Sequence, residues 1–271
     1  MKHCRMLSLL LALVLLVLGG CTPEPKTIRY GDRELTVAEE VPVNGYDTAA
    51  FSTVDGVTTY ESETARSGID VSSYQQEIDW QAVREAGVDF AIIRAGFRGY
   101  GDEGALNEDS LFRANMDGAL EAGLDVGVYF FSQAVTTAEA VQEAGFLLML
   151  LEPYADRLSY PVIFDWEYVP DPTARTAAVP PTALTDLAEA FCKVIKAAGY
   201  TPGVYFNRDQ GYLAYDIARI SQYELWLAEL EEVPDFYYHF QLWQYSHTGT
   251  VAGIEGPVDR NISFKDYGAE E

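Results

Sequence analysis

The sequence is poor in cysteine, in positive charge and in histidine, and each shortage removes a class of function. Only Cys4, Cys21 and Cys192 occur in 271 residues. The first two fall in the N-terminal leader region, so Cys192 is left alone in an apolar helical stretch and no disulfide framework is available. A lone cysteine in such a stretch is a packing residue. Lys and Arg number 18 against 42 Asp and Glu, a formal net charge of −24. Nucleic-acid binding, which needs a basic footprint to displace counterions from phosphates, is excluded, and contact with anionic lipid head groups is discouraged. Of the three histidines, His3 lies in the leader, while His239 and His247 are separated by strand-like residues. No metal-ligand cluster results, and neither a metal nor a cofactor is expected. Long apolar runs are scarce as well. The run from Leu7 to Leu18 follows Lys2 and Arg5; at about 12 residues it is short for a membrane span but has the layout of a secretory signal.

What is present points to a folded, exported protein. A hydrophobic content of 48% is ample for a packed core, and the length suits one sizeable domain plus appendages. Leu18-Gly19-Gly20-Cys21 resembles a bacterial lipoprotein cleavage box. That resemblance implies that residues 1–20 are a signal peptide and that Cys21 becomes a lipidated N-terminus. Residues 21–26, with Pro23 and Pro25, would then be a tether holding the protein to the cell membrane on its outer, wall-facing side. Loss of Lys2 and Arg5 would make the mature chain still more acidic. Residues 27–66 read as a small β-rich appendage or a linker. One hairpin is expected from Ile28-Arg29-Tyr30 and Leu35-Thr36-Val37 around Gly31-Asp32, and another from Phe51 to Tyr60 around Asp55-Gly56. The many Thr, Ser and acidic residues also suit a partly ordered linker.

A strand–helix rhythm runs through residues 67–267. Strand patterns start at Gly68, Asp89, Asp125, Tyr160 and Pro202, and the helical stretches before three of them close on Ala86-Gly87, Ala122-Gly123 and Ala198-Gly199. Glycine there supplies the left-handed residue that ends a helix. Thr136 with Glu139 gives a capping-box signal, and Pro180-Pro181 opens another helix. After Tyr223 the helical patterns fade, and Leu225 to Ala228, Phe240 to Gln244 and Val258 to Phe264 read as strands. Alternating βα units imply a parallel sheet. Eight strands with about five helices suggest an α/β fold that closes into an irregular, TIM-like barrel.

Chemistry in such a barrel gathers at the carboxyl ends of the strands. The run Tyr160-Pro161-Val162-Ile163-Phe164-Asp165-Trp166-Glu167-Tyr168 ends an apolar strand in two acids one residue apart. Side chains alternate along a strand, so Asp165 and Glu167 share a side with Cα atoms roughly 6.5–7 Å apart. Two carboxyls that close cannot both ionise freely, which leaves one as proton donor and the other as a negative charge, the division that glycosidases use. The same pair could line a solvated loop or hold a cation, so the spacing alone does not decide. Other strand ends carry Asp70, Arg94, Tyr129, Tyr205, Trp226, Gln244 and Asp259. A ring of such residues from separate strands makes a pocket.

Six segments in this order resemble the glycoside hydrolase family 25 lysozymes. They are Gly68-Ile69-Asp70-Val71-Ser72, Gly127-Val128-Tyr129-Phe130-Phe131, Asp165-Trp166-Glu167, Leu225-Trp226-Leu227-Ala228, Leu242-Trp243-Gln244-Tyr245 and Val258-Asp259-Arg260-Asn261. The resemblance implies a distorted (β/α)5β3 barrel and cleavage of the N-acetylmuramic acid–N-acetylglucosamine β-1,4 bond of peptidoglycan. It makes Glu167 the acid/base, Asp165 its partner, and Asp70 and Asp259 flanking carboxylates. Two positions differ from the family's common pattern: Phe130 stands where a His is usual, and Leu230 where a Tyr is frequent. Tyr129, Tyr205 and Trp226 suit either sugar-stacking platforms or barrel core. Gln244 joins them as a substrate-contact candidate. Arg94 is most simply a partner of neighbouring carboxylates and otherwise a substrate contact. A monomer acting on glycan strands is expected. A lipoprotein that holds glycan without cutting it, and a glycosidase acting on another N-acetylated polymer, are the alternatives. Retention of all four mutually repelling acids favours an enzyme over a binding module.

Overall fold

The computed structural model describes residues 25–269. The expected signal peptide, Cys21 and the first residues of the tether lie outside that range. The chain divides into two compact units, the first ending at Val37 and the second running from Ala38. In the first unit β1 (Thr27–Tyr30) pairs antiparallel with β2 (Arg33–Thr36). Gly31 takes a φ of 57° in their turn, which only glycine adopts freely.

The second unit begins with another hairpin, β3 (Phe51–Val54) and β4 (Val57–Tyr60). Both turn residues, Asp55 and Gly56, have positive φ, 51° and 79°. That is the twist a two-residue hairpin requires and the reason for Asp-Gly there. An aromatic layer covers this region: Tyr46 stacks on Phe264 with ring centroids 3.8 Å apart, and Phe51 meets Trp243 edge-on at 5.5 Å.

The barrel follows. Its elements are β5 (Arg66–Val71), α1 (Trp80–Glu85), β6 (Phe90–Arg98), β7 (Leu106–Glu108), α2 (Phe112–Glu121), β8 (Asp125–Ser132), α3 (Thr137–Leu151), β9 (Val162–Trp166), α4 (Leu184–Ala197), β10 (Pro202–Asn207), α5 (Arg208–Leu213), α6 (Ile217–Ile220), β11 (Glu224–Ala228), β12 (Leu242–Gly249) and β13 (Val258–Ser263). Eight strands close in the order β5, β6, β8, β9, β10, β11, β12, β13, back to β5. Neighbours from β5 to β12 are parallel. The last strand runs antiparallel to both β12 and β5. The expected α/β closed barrel is the observed fold. Short β7, absent from the sequence expectation, pairs only with the end of β6.

The local signals explain the elements. Gly87, Gly123 and Gly199 have φ of 86°, 77° and 93°, the left-handed closures expected after α1, α2 and α4. Thr136 caps α3 by accepting from the Glu139 amide at 3.3 Å, while Glu139 accepts from the Val135 amide at 2.8 Å. The barrel interior is filled by Phe90, Ile92, Tyr160, Ile163, Trp226 and Leu242. Phe90 and Tyr160 stack with centroids 4.3 Å apart. Gly68 makes room for them, since a Cβ there would sit 2.2 Å from the Phe90 ring. Large aromatics can close the lower barrel only because the strand beside them carries no side chain at that point. What stays open is the upper end.

Candidate active site

The open end is bordered by four acids from three strands. Asp70 is the next-to-last residue of β5 and lies directly opposite Asp259 on β13. Asp165 is the next-to-last residue of β9, and Glu167 follows the strand's end. Between them Trp166 is fully buried and donates from Nε1 to the Ala134 carbonyl at 3.0 Å. Alternation along the strand thus sends Trp166 outward and both acids inward. All four carboxyls line one cavity of about 350 Å³, together with Arg94, Tyr129, Tyr205, Trp226 and Gln244. Every residue that the sequence nominated for the site is therefore brought to one place.

Burial and mutual repulsion govern the charge state. Asp165 is 4% exposed and no protein donor reaches its Oδ1. Desolvation, then the neighbouring Glu167 and Asp70, push its carboxyl well above the ordinary range, and Arg94 offsets this only in part. Glu167 is raised by burial and by Asp259. Asp70 is raised by burial and by Asp259, against the opposing effect of hydrogen bonds from Asn261 and Gln244. Asp259 is raised by burial, while His247 and a hydrogen bond with Asp70 pull it down. The four sites titrate as a coupled group. Protons are retained on the cluster at pH values where isolated carboxyls would be bare.

A network of neutral amides orients Asp70. Its Oδ2 accepts from Gln244 Nε2 at 2.8 Å and Asn261 Nδ2 at 2.7 Å. Tyr205 donates to Gln244 Oε1 at 2.8 Å, and Trp226 Nε1 donates to Asn261 Oδ1 at 2.9 Å. Asn261 was not singled out in the sequence although it stands in the last quoted motif. Asp70→Asn reproduces the shape of the protonated acid: its carbonyl can take both amides and its amide can donate to Asp259. The sign of the effect on stability follows. A carboxyl whose folded pKa is raised contributes stability below its unfolded pKa, near 4, and loses it as pH rises through the folded value. The asparagine has no such loss. Its melting temperature is expected to match the parent near pH 4 and to exceed it increasingly toward neutrality, as calorimetry at several pH values would show; a constant offset would contradict the charge assignment.

Arg94 donates from Nε to Asp109 Oδ2 at 2.8 Å and from Nη2 to Ser73 Oγ at 3.2 Å. Its guanidinium lies 5.1 Å from the Tyr74 ring centroid and 5.5 Å from that of Phe97. It therefore holds the loop after β5 while lending positive charge to the cavity wall. Trp226 is 2% exposed and packs edge-on against Tyr205 at 4.7 Å, so it serves as core and floor at once. Phe130 is fully buried against Phe146 of α3, so the departure from the family pattern there lies outside the cavity lining. Leu230 is 50% exposed. Sequence reasoning missed Tyr74, Tyr100, Phe131 and His247 in the lining. Tyr74, in a single 3-10 turn (Ser73–Gln75), and Tyr100, on a loop, are 76% and 49% exposed, and only their position just past β5 and β6 hinted at them. Among the described residues no group of three or more His, Cys, Asp or Glu is placed to hold a metal ion.

An open groove with a proton-retaining acid, an adjacent carboxylate and aromatic walls can protonate a leaving oxygen and stabilise positive charge at a sugar carbon. The profile of glycosyl hydrolases family 25 matches residues 69–254. The chain belongs to that family. Lysozyme M1 of Streptomyces globisporus is 30% identical over 201 residues, which are 72% of this chain and 66% of that protein. Among solved structures, the modular autolysin LytC of Streptococcus pneumoniae in complex with a synthetic peptidoglycan ligand superposes with a TM-score of 0.66 and 25% identity, over 79% of this chain and 52% of that one. A bacterial lysozyme from Streptomyces coelicolor gives 0.57 and 27%, over 74% and 92%. This chain thus spans about two thirds of the first relative and half of LytC. The family match begins one residue before Asp70 and contains Asp165 and Glu167, while Asp259 lies just beyond its end.

Proposed function

We propose that the protein is a surface-tethered muramidase that cuts the N-acetylmuramic acid–N-acetylglucosamine β-1,4 bond of peptidoglycan. The observation that carries the mechanism is the Asp165 Oδ1, a buried acceptor without a protein donor beside a second acid in a groove. Buried acceptors are nearly always satisfied, and the N–H of a substrate 2-acetamido group is a donor of the right kind. Glu167 gives its proton to the glycosidic oxygen as the C1–O bond breaks. The acetamido carbonyl oxygen closes on C1, and Asp165 accepts from the amide N–H and balances the positive charge of the resulting ring. Glu167, now a carboxylate, takes a proton from water as that water opens the ring at C1. The configuration at C1 is retained by two inversions, and Glu167 ends protonated as it began. Such substrate assistance is a recognised alternative to a protein nucleophile.

The deciding experiment incubates residues 27–271 with purified peptidoglycan and analyses the new sugar ends. Muramic-acid reducing ends are expected. Binding without new ends would instead fit a glycan-holding lipoprotein, and ends of another sugar would fit a glycosidase of different specificity.

The Leu18-Gly19-Gly20-Cys21 segment supports reading Cys21 as a lipid anchor, which would place the protein on the wall-facing side of the membrane. Several acyl chains would hold the protein far more firmly than the marginal attachment of one myristoyl chain. Cys21→Ser is expected to release the protein from washed membranes and leave turnover of the soluble domain unchanged. A variant that stays with the membrane pellet would overturn the anchor.

A further inference from the structure

β9 ends at Trp166, so the carbonyls of Trp166 and Glu167 lie where the strand ladder is running out. Each takes a side-chain amide instead, one from either flanking strand. Gln133, immediately after β8, donates from Nε2 to the Glu167 carbonyl at 3.2 Å and to the Ser132 carbonyl at 2.8 Å. Gln210, in the first turn of α5 just after β10, donates from Nε2 to the Trp166 carbonyl at 2.8 Å. Both side chains are buried, at 0% and 2% exposure.

Neither amide is free to turn. Gln133 Oε1 accepts from Thr176 Oγ1 at 3.0 Å. The Gln133 carbonyl accepts from Arg175 Nη1 at 2.6 Å, and Arg175 grips both oxygens of Glu139 at 3.0 and 2.6 Å. Gln210 Oε1 accepts from the Asn207 amide at 3.2 Å, while the Gln210 amide donates to Asn207 Oδ1 at 3.0 Å. With both acceptors committed, each Nε2 can only face β9. The segment carrying the acid is thereby held from two sides by donors whose orientation is fixed elsewhere.

We propose that Gln133 and Gln210 are positioning residues that fix the Glu167 carboxyl by clamping its backbone. The proposal rests on the reading of Glu167 as the acid. Neither glutamine lines the cavity, so neither touches substrate. Glutamine suits the task because asparagine is a methylene shorter and an ionised glutamate has no proton to donate.

The test uses the full chain with Gln133→Met and Gln210→Met, which keep the volume and lose the donor, and Gln133→Asn as a milder variant. Each variant is confirmed as folded by near-ultraviolet circular dichroism at the assay temperature. Expected is a fall in kcat of about 10–100-fold for the methionine variants, as small misplacements of a reacting group cause, with KM within about twofold, since groups that bind sugar are untouched. In a Glu167→Gln background the same substitutions should add less than about twofold, because a residue acting only through Glu167 has nothing left to position. The carbon-13 carboxyl titration of Glu167, read without substrate, should shift its midpoint in both methionine variants. Unchanged kcat in the folded variants, or equal losses with and without Glu167, overturns the clamp. If the parent chain releases no sugar ends, the functional reading fails separately, and the titration decides the clamp alone: a moved midpoint supports it and an unmoved one overturns it.

Discussion

Glu167→Gln is expected to lose about 10²–10⁴-fold in turnover on peptidoglycan, the usual cost of removing a general acid, while KM changes little. The amide keeps the shape and can still donate to the glycosidic oxygen, but it cannot transfer a proton. The parent carboxyl suits the proposed role because burial and Asp259 hold its pKa up, which keeps it protonated where an exposed glutamate would be bare. Activity should therefore fall as pH rises through that raised value. The falling limb should be absent from what activity remains in Glu167→Gln. Initial rates of reducing-end release across pH measure both effects. Near-normal turnover in the variant would remove Glu167 from the role.

The features legible in the sequence are those written within a few adjacent residues. Gly87, Gly123 and Gly199 announced three helix ends, Asp55-Gly56 announced a turn, and alternation through Phe164-Asp165-Trp166-Glu167 predicted two inward acids. The structure adds what arises between distant segments. β7 has three residues, too few to show a period, and exists because the end of β6 offers it an edge. Asp109 is buried by its pairing with Arg94, but in the sequence it resembles any loop acid. Gln133 and Gln210 are polar residues in otherwise ordinary surroundings, and the carbonyls their amides meet are set by where β9 stops. Tyr74 sits in a single 3-10 turn and Tyr100 on a loop, both too short to carry a periodic signal. The four groove acids were easier to find than the polar residues packed behind them because they sit at the ends of regular strands.

Asp165→Asn is the second large loss expected, about 10²–10³-fold, in line with removing a preorganised group that stabilises developing charge. Asp165 and Glu167 repel each other across a buried groove, so they titrate as a pair that gives up its second proton reluctantly. In the proposed route the productive form has the proton on Glu167 and the charge on Asp165, although burial, Glu167 and Asp70 push the Asp165 carboxyl up the harder of the two. An amide N–H donating to the unsatisfied Oδ1 favours that arrangement, and the positive charge that forms as the acetamido oxygen closes on C1 favours it further. On the proposed route Asp165 would bind the transition state better than the ground state, which is the condition for catalysis. Asparagine would keep a hydrogen-bond acceptor and lose the charge, so kcat should fall more than binding. The pH profile of the parent should be bell-shaped, with both limbs above the range of isolated carboxyls because both pKa values are raised. Proton NMR of the first-formed product supplies the stereochemical half of the test. Assistance by the acetamido group requires the anomeric configuration of the bond that was cut, and an inverted first product would eliminate that route whatever the kinetics of Asp165→Asn.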